Sequence, residues 1–257
     1  MYPKLNYRII GEGQPVIILH GLFGMLDNWI TIGKKLSDAG YMTILIDQRD
    51  HGRSEHTSEF NYKVLSDDLY QFMEDHWIHS AILIGHSMGG KTALQFVADH
   101  TTDIRKLIVV DIGVKAYPGG HEDVFKALLS VDLSKIKKRD EAEKTILNII
   151  KDNGTVQFLM KNLTRHKDGH FEWKMNLPLL FENYKNILAP VSINHTCLTD
   201  TLFIRGELSD YITNEDLPEI EDLFPNAKFK SIPSAGHWVH ADQPDELFKT
   251  IIDFIKD

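Results

Sequence analysis

The sequence is poor in cysteine and has no long apolar run. Cys197 is the one cysteine among 257 residues, so an intrachain disulfide is excluded and nothing points to an oxidising compartment. We expect Cys197 to be an unreactive small apolar residue. Apolar runs stay well short of the ~18 residues that a transmembrane helix needs. These absences favour a protein that does not span a membrane.

Positive charge is also in deficit. Lysine and arginine total 28 against 37 aspartates and glutamates, which gives a net charge of −9. A surface of this sign repels phosphate backbones and disfavours nucleic acid as a partner. The opening "MYPKLNYRIIGEG" lacks the basic segment and apolar run of a signal peptide, so we expect a cytoplasmic location. A monomer and a small homo-oligomer both stay open.

What the sequence does contain is an alternation of short apolar runs with helical patterns. Apolar, β-branched runs occur at Val16–Leu19, Thr43–Ile46, Ala81–Ile84 and Leu107–Val110. Helical spacing of apolar residues follows at Val64–Asp75 and Lys91–His100. Continuous apolar runs are typical of parallel strands that are covered on both faces. The alternation predicts an α/β fold with a mostly parallel sheet flanked by helices.

The alternation stops after Asp111 and resumes late in the chain. A helix-dominated stretch runs to about Pro190, strands are predicted at Thr201–Ile204 and Ala227–Ile232, and a final helix at Pro244–Ile255. We therefore predict a core formed by residues 1–113 and 191–257, with residues 114–190 inserted as a small helical cap. A cap in that position lies near the carboxyl ends of the strands, where open α/β sheets bind ligands.

A serine stands where one strand turns into a helix. The segment Gly85-His86-Ser87-Met88-Gly89 matches G-x-S-x-G, with "AILI" before it and "KTALQFVADH" after it. A strand that turns at once into a helix strains the serine and brings the residues two before and two after it together, so only small side chains fit there. The helix N-terminus also favours developing negative charge. Ser87 is the candidate nucleophile.

A serine needs a base, and the base needs an acid. His237, in "SAGHWVHADQP" between the last predicted strand and the last helix, is the best candidate base. A metal site formed by His237 and His240 would need further ligands, and none are clustered with them in the sequence. We therefore expect no metal and no organic cofactor. Two acids compete, Asp111 after "LIVV" and Asp210 after "TLFI", and both follow the carboxyl ends of strands.

Acyl transfer also requires two backbone N–H groups directed at the developing oxyanion. One is expected from Met88, the residue after the nucleophile. The other is expected from Leu22, in the loop "HGLFG" that follows the strand "VIIL". The sequence therefore predicts an oxyanion hole formed by Leu22 and Met88.

Five segments, taken together, resemble the α/β-hydrolase superfamily. They occur in the family's order and spacing and are "HGLFGMLDNW", "DQRDHGRS", "GHSMGGK", "VVDI" and "AGHWVHADQPDEL". They look most like the YbfF-type esterases and their mitochondrial abhydrolase relatives. The resemblance covers almost the whole chain and implies a Ser-His-Asp hydrolase with a small helical cap. It also implies activity on short acyl esters or thioesters, including acyl-CoA in some members.

The resemblance bears on the choice of acid. Most α/β-hydrolases carry the acid in a G-E-x-D pattern, and here that position is Ser209, with Asp210 one residue late. YbfF-type esterases show a similar departure and use the aspartate that ends the strand after the nucleophile. Asp111 matches that position, so we favour Asp111 and keep Asp210 as the alternative.

The residues and the resemblance lead to a carboxylesterase or thioesterase that acts on a small-molecule ester or thioester with a short to medium acyl chain. One alternative keeps the triad for C–C bond hydrolysis or elimination, as in the menaquinone-pathway synthase of this superfamily. Such sites usually add basic residues, and Arg49, Arg53 and Lys91 are available. A second alternative is a non-enzymatic ligand sensor built on a hydrolase scaffold.

Overall fold

A computed structural model describes residues 2–100 and 103–257 of the chain. Met1, Thr101 and Thr102, which fall in the predicted core range 1–113, lie outside the described residues. The strands are β1 Tyr7–Ile10, β2 Gln14–Leu19, β3 Tyr41–Ile46, β4 Ala81–His86, β5 Ile104–Val110, β6 Leu163–Arg165, β7 Phe171–Trp173, β8 Thr201–Gly206 and β9 Ala227–Ile232.

The helices cover both faces of the main sheet and much of the segment between β5 and β8. They are α1 Ile30–Asp38, α2 Tyr62–Asp75, α3 Met88–Asp99, α4 Glu122–Leu129, α5 Arg139–Leu147, α6 Asn153–Met160, α7 Leu177–Glu182, α8 Tyr184–Leu188, α9 Leu217–Leu223, α10 Val239–Asp242 and α11 Pro244–Lys256. Among the helices of this described part, none is long and apolar enough to cross a membrane.

The main sheet has seven strands in the order β1-β3-β2-β4-β5-β8-β9. Strands β2 to β9 of this sheet pair in parallel, and β1 alone pairs antiparallel, against β3. The order reverses at β2 and β4, so the chain winds in both directions from the middle of the sheet. Strand β4, which leads to Ser87, is therefore central and buried along its whole length.

Each strand's residues alternate between two apolar clusters. On one face Ile17 and Leu19 pack with α2, α3 and α9, and on the other Val16 and Ile18 pack with α1 and α11. Because both faces are covered, the strands contain continuous apolar runs instead of alternating ones. The α/β fold that the sequence predicts is confirmed.

A third apolar cluster joins the segment between β5 and β8 to the core. Buried residues of α4 to α8 pack there with Leu22 and Met88, the two residues expected at the oxyanion hole. The segment thus lies over the carboxyl ends of the strands, beside Ser87. The boundaries of a separate cap at residues 114–190 stay a prediction.

Cys197 is buried and forms no disulfide. Burial raises the pKa of its thiol, which disfavours the reactive thiolate. The expectation of an unreactive apolar cysteine is consistent with this environment.

Candidate active site

Ser87 lies in the tight turn between β4 and α3, with φ 52° and ψ −120°. This conformation is strained for a residue with a side chain. The turn is possible because its flanking glycines leave room: a Cβ on Gly85 would collide with the carbonyl of Gly89. A Cβ on Gly89 would lie 2.5 Å from the carbonyl oxygens of Leu19 and His20. The steric reason given for the G-x-S-x-G pattern therefore holds in the structure.

His237 reaches the serine from the loop between β9 and α10. Its Nε2 lies 3.0 Å from Ser87 Oγ. The imidazole is stacked on the ring of Tyr211, with centroids 3.8 Å apart and planes 17° from parallel. The stack and the hydrogen bonds on both ring nitrogens leave the imidazole one orientation, which points Nε2 at the serine.

Asp111, the favoured candidate acid, lies on the other side of His237. Its Oδ2 lies 2.7 Å from His237 Nδ1, and its Oδ1 accepts a 2.8 Å hydrogen bond from the backbone N–H of Gly206. The side chain is fully buried. Asp210 is exposed and forms no hydrogen bond with His237 among the described residues. Of the two candidate acids, the structure brings only Asp111 to the histidine.

Ser209, at the position where most family members carry the acid, also belongs to this arrangement. Its hydroxyl donates a short hydrogen bond to Asp111 Oδ2, the same oxygen that faces His237. Ser209 Oγ in turn lies 3.4 Å from the backbone N–H of Tyr211. The sequence marked Ser209 as a missing acid, whereas the structure shows a hydroxyl that bonds to Asp111 from the loop after β8.

The two predicted oxyanion-hole residues flank Ser87. Within residues 2–100 and 103–257, neither the Leu22 N–H nor the Met88 N–H donates to a protein acceptor. The Leu22 loop is a tight turn closed by a 2.9 Å bond from Gly24 N to Gly21 O. Asn162 anchors it from the segment between β5 and β8, through a 2.7 Å bond from its Nδ2 to Phe23 O. Two free donors on a fixed backbone are what a developing oxyanion requires.

His86, the residue before Ser87, also contacts the segment that carries the candidate base. Its Nε2 donates a 2.9 Å hydrogen bond to the backbone carbonyl of His237. Burial lowers the pKa of His86 well below its ordinary value, so the ring is neutral. His240 contacts His86 and stacks on Trp29, with ring centroids 4.7 Å apart. Burial lowers the pKa of His240 to about 4, which also keeps it neutral.

Comparison with known proteins agrees with this geometry. Residues 14–130 match the family model of the alpha/beta hydrolase fold. Esterase YbfF of Escherichia coli is 33% identical, with 99% of this chain and 100% of that protein aligned. The sn-1-specific diacylglycerol lipase ABHD11 of Danio rerio is 34% identical, over 98% of this chain and 83% of that protein. The chain belongs to the α/β-hydrolase family.

A solved structure extends the similarity to the full length of this α/β-hydrolase. A marine microorganism esterase is 42% identical and superposes with a TM-score of 0.96, covering 98% of this chain and 99% of that chain. The resemblance seen in the five sequence segments, to YbfF-type esterases and their abhydrolase relatives, is therefore confirmed.

The loop that reads "DQRDHGRS" is structural in this α/β-hydrolase. Asp47 accepts hydrogen bonds from the backbone N–H groups of Leu26 and Arg53, at 2.6 and 2.9 Å. Arg49 forms a bidentate pair with buried Asp68, at 2.6 and 2.7 Å. The guanidinium of Arg49 is therefore occupied by Asp68 inside the protein.

Asp50 links this loop to the segment that leads into α7. Its carboxylate accepts a 2.7 Å bond from Thr57 N–H and a 2.9 Å bond from Asn176 Nδ2. The side chain of Asp50 therefore acts as an acceptor in this contact.

Two cavities open on Ser87. The larger, of about 520 Å³, is bounded by catalytic-side residues and by apolar side chains of α4 and α6; its lining includes His237, Trp238, Val124, Phe158 and Leu159. The smaller, of about 350 Å³, is lined by Met88, Lys91, Tyr62, Tyr117, Ile187 and Tyr211, among others. Ser87, Leu22 and His121 border both cavities. An acyl carbon bound at Ser87 Oγ thus has space on two sides.

Proposed function

We propose that this α/β-hydrolase is a serine carboxylesterase or thioesterase that acts on short to medium acyl chains through an acyl-enzyme intermediate. The observation that carries the proposal is the continuous hydrogen-bonded line from Ser87 through His237 to Asp111, next to two unpaired backbone donors. Relatives aligned over nearly the whole chain are an esterase and a diacylglycerol lipase, and both names describe cleavage of ester bonds.

In the acylation half, Ser87 Oγ attacks the carbonyl carbon while His237 Nε2 takes the hydroxyl proton. Asp111 holds the tautomer with the proton on Nδ1 and stabilises the imidazolium that forms. The Leu22 and Met88 N–H groups receive the oxyanion. The imidazolium then gives its proton to the leaving alcohol or thiol, and the acyl group stays on Ser87.

In the deacylation half, a water molecule takes the place of the departed alcohol or thiol. His237 removes a proton from this water as it attacks the acyl carbon, and a second oxyanion forms in the same hole. Collapse of this intermediate returns the proton to Ser87 and releases the acid. Every step uses residues already in contact in the resting protein.

Ester chemistry is favoured over C–C hydrolysis by the positions of the three basic residues named above. A multi-carboxylate substrate calls for free cations at the site, but Arg49 is paired with Asp68 and Lys91 is bonded to backbone carbonyls. Arg53 is exposed and lines neither cavity at Ser87. The apolar lining of both cavities suits an ester with modest acyl and alcohol groups.

The test is covalent labelling combined with a substrate series. A fluorophosphonate probe should modify Ser87, as located by peptide mass spectrometry, and should abolish hydrolysis of p-nitrophenyl butyrate in proportion to labelling. Parallel series of p-nitrophenyl esters and acyl-CoA thioesters then rank the two bond types and the chain lengths. Labelling without ester or thioester turnover would contradict the proposal and favour the ligand-sensor alternative.

A further inference from the structure

The two cavities beside Ser87 are chemically distinct with respect to proton transfer. The leaving oxygen or sulfur must accept its proton from His237 Nε2, so the leaving group has to lie on the side that His237 borders. His237 lines the larger cavity, and the smaller one is bordered by Met88 and Tyr211 instead. The geometry directs the leaving group into the larger cavity and the acyl chain into the smaller.

Lys91 closes the smaller cavity one helical turn beyond the nucleophile. Its backbone N–H bonds to Ser87 O at 3.0 Å, and its side chain is 1% exposed. The ammonium lies 4.8 Å from the ring centre of Tyr117 and 5.6 Å from that of Tyr62. A lysine with its head group held by partners presents its methylene stem to the space in front of it. An acyl chain that starts at Ser87 therefore runs toward an apolar stem whose amino head group is held in place.

The head group of Lys91 is held by the two chain segments that connect the core to the region between β5 and β8. Lys91 Nζ donates to the carbonyl of Lys115, at 2.8 Å, and to those of Leu188 and Ala189. The same connections pair directly, since Tyr117 N–H bonds to Leu188 O at 2.9 Å. The three carbonyls fix the head group in place, and burial lowers its pKa to about 7, so Lys91 is not a free cation that could bind a substrate anion.

We propose that the smaller cavity receives the acyl chain and that Lys91 is the specificity-determining residue that limits its length. The inference rests on the proposed function and adds to it the substrate class, esters and thioesters of short unbranched acids. Longer chains meet the lysine stem, and moving it would break hydrogen bonds to two segments at once. Chains that end before Lys91 fill the space beside Tyr62 and Ile187 without that cost.

The experiment measures kcat/KM for p-nitrophenyl acetate, butyrate and octanoate, which share one leaving group. For the wild-type protein, kcat/KM should fall steeply between the butyrate and the octanoate ester. Lys91→Ala should raise the octanoate-to-acetate ratio by roughly tenfold or more, since each methylene accommodated in an apolar pocket is worth about 10-fold or more in specificity. Lys91→Met keeps most of the volume but loses the hydrogen bonds that fix the stem, and should therefore raise the octanoate-to-acetate ratio less than Lys91→Ala does.

Two further variants make the test independent of how well Lys91→Ala folds. Ile187→Ala enlarges the same cavity with the lysine in place and should shift the profile in the same direction. Phe158→Ala, in the larger cavity, should leave the acyl-length profile unchanged and alter the ranking of a series of acetates with different alcohols. An unchanged acyl-length profile in Ile187→Ala, or in a Lys91→Ala protein that is folded by circular dichroism, overturns the inference.

The outcomes separate this inference from the proposed function. Absence of ester and thioester turnover in wild-type protein, with Ser87 unlabelled by a fluorophosphonate, would overturn the proposed function itself. Turnover with labelling of Ser87, but with an acyl-length profile that responds to Phe158→Ala and not to Lys91→Ala or Ile187→Ala, would reverse the two cavities and overturn only the inference.

Discussion

One carboxylate oxygen, Asp111 Oδ2, faces both His237 Nδ1 and the hydroxyl of Ser209. The other oxygen, Oδ1, is fixed by the Gly206 N–H. Asp111 itself sits in the left-handed region with φ 53°, at the end of β5. A buried carboxylate with three donors has its negative charge stabilised and its direction set, which suits it to orient an imidazole. The three donors that surround Asp111 therefore fix the orientation of its carboxylate.

Replacing the acid separates the two candidates. Asp111→Asn should lower kcat on p-nitrophenyl butyrate by about 10⁴-fold, because the amide favours the wrong tautomer of His237. Asp210→Asn removes an exposed carboxylate and should stay within about twofold of wild type. Circular dichroism of both variants checks that each is folded. Collapse of kcat in Asp210→Asn, with Asp111→Asn active, would assign the acid to Asp210.

Ser209 offers a second test, because most of the family places its acid there. Adding Ser209→Asp to Asp111→Asn should raise kcat at least about tenfold above that of Asp111→Asn alone. The reason is that the double variant again has a carboxylate close to His237 Nδ1. In the wild-type background the same change puts two carboxylates side by side and should lower activity. Steady-state kinetics of the four proteins form the cycle. A double variant no better than Asp111→Asn would show that only β5 can present the acid to His237.

At the scale of elements, the turn from β4 to α3 depends on close backbone packing. Gly85 and Gly89 contact each other across the turn, and Gly89 also lies against the end of β2. The loop that carries Leu22 also starts at the end of β2, and Leu22 lies three residues after that strand. The same contact therefore sets the position of the nucleophile and of one oxyanion donor.

A methyl group at Gly89 tests that dependence. Gly89→Ala should lower the free energy of unfolding by about 1–3 kcal/mol, because the new Cβ meets the carbonyls of Leu19 and His20. It should also reduce kcat, since the elbow and the oxyanion loop must separate. Gly113→Ala is the matched control, because its Cβ meets only the Tyr117 hydroxyl at 3.4 Å and Ile220 at 3.7 Å. Equal urea midpoints for the two variants would argue against a tightly packed elbow.

The six predicted parallel strands occur. Five of them have two covered faces and uninterrupted apolar runs, whereas β9 is an edge strand in which apolar and polar residues alternate and most residues are at least partly exposed. Strand β1 was not predicted: it is an antiparallel edge strand with three of four residues exposed, so it carries no apolar pattern.

The residues of the site also differ in how well the sequence predicts them, depending on whether their contacts are local or remote in the chain. Ser87, His237, Leu22 and Met88 could be predicted because each follows a strand at a spacing that the chemistry requires. Ser209 as a supporting donor and Lys91 as a cavity wall could not, because their partners lie on distant segments and only the folded chain brings them together. The choice between Asp111 and Asp210 likewise needed the geometry of β5 against β8.

At the scale of the whole molecule, several buried histidines share one electrostatic property. Burial lowers the pKa of His20 and His121 to about 4 and that of His51 to about 3. His240 is lowered to about 4 and His86 also well below its ordinary value. All five are neutral in the folded protein at pH 7. The core around the active site is therefore built to exclude positive charge on these rings.

This property predicts acid sensitivity. Each folded-state pKa lies below the unfolded value of 6.5, so the unfolded chain binds more protons between pH 6.5 and about 4. The free energy of unfolding should fall as pH falls through that window, by up to about 1.4 kcal/mol per pH unit for each histidine. Urea unfolding at neutral and mildly acidic pH measures the slope. His240→Gln should make the slope shallower by one such contribution; a slope unchanged in that variant would contradict the argument.

The assignment of Ser87 as the nucleophile of an ester hydrolase is tested most directly by kcat for p-nitrophenyl butyrate in Ser87→Ala. We expect a loss of roughly 10⁴–10⁶-fold, with binding of the substrate little changed, because the variant keeps both cavities and both oxyanion donors. Active-site titration of both proteins calibrates the comparison and reveals any wild-type enzyme carried over into the variant. A Ser87→Ala protein that retains wild-type kcat would show that Ser87 is not the nucleophile.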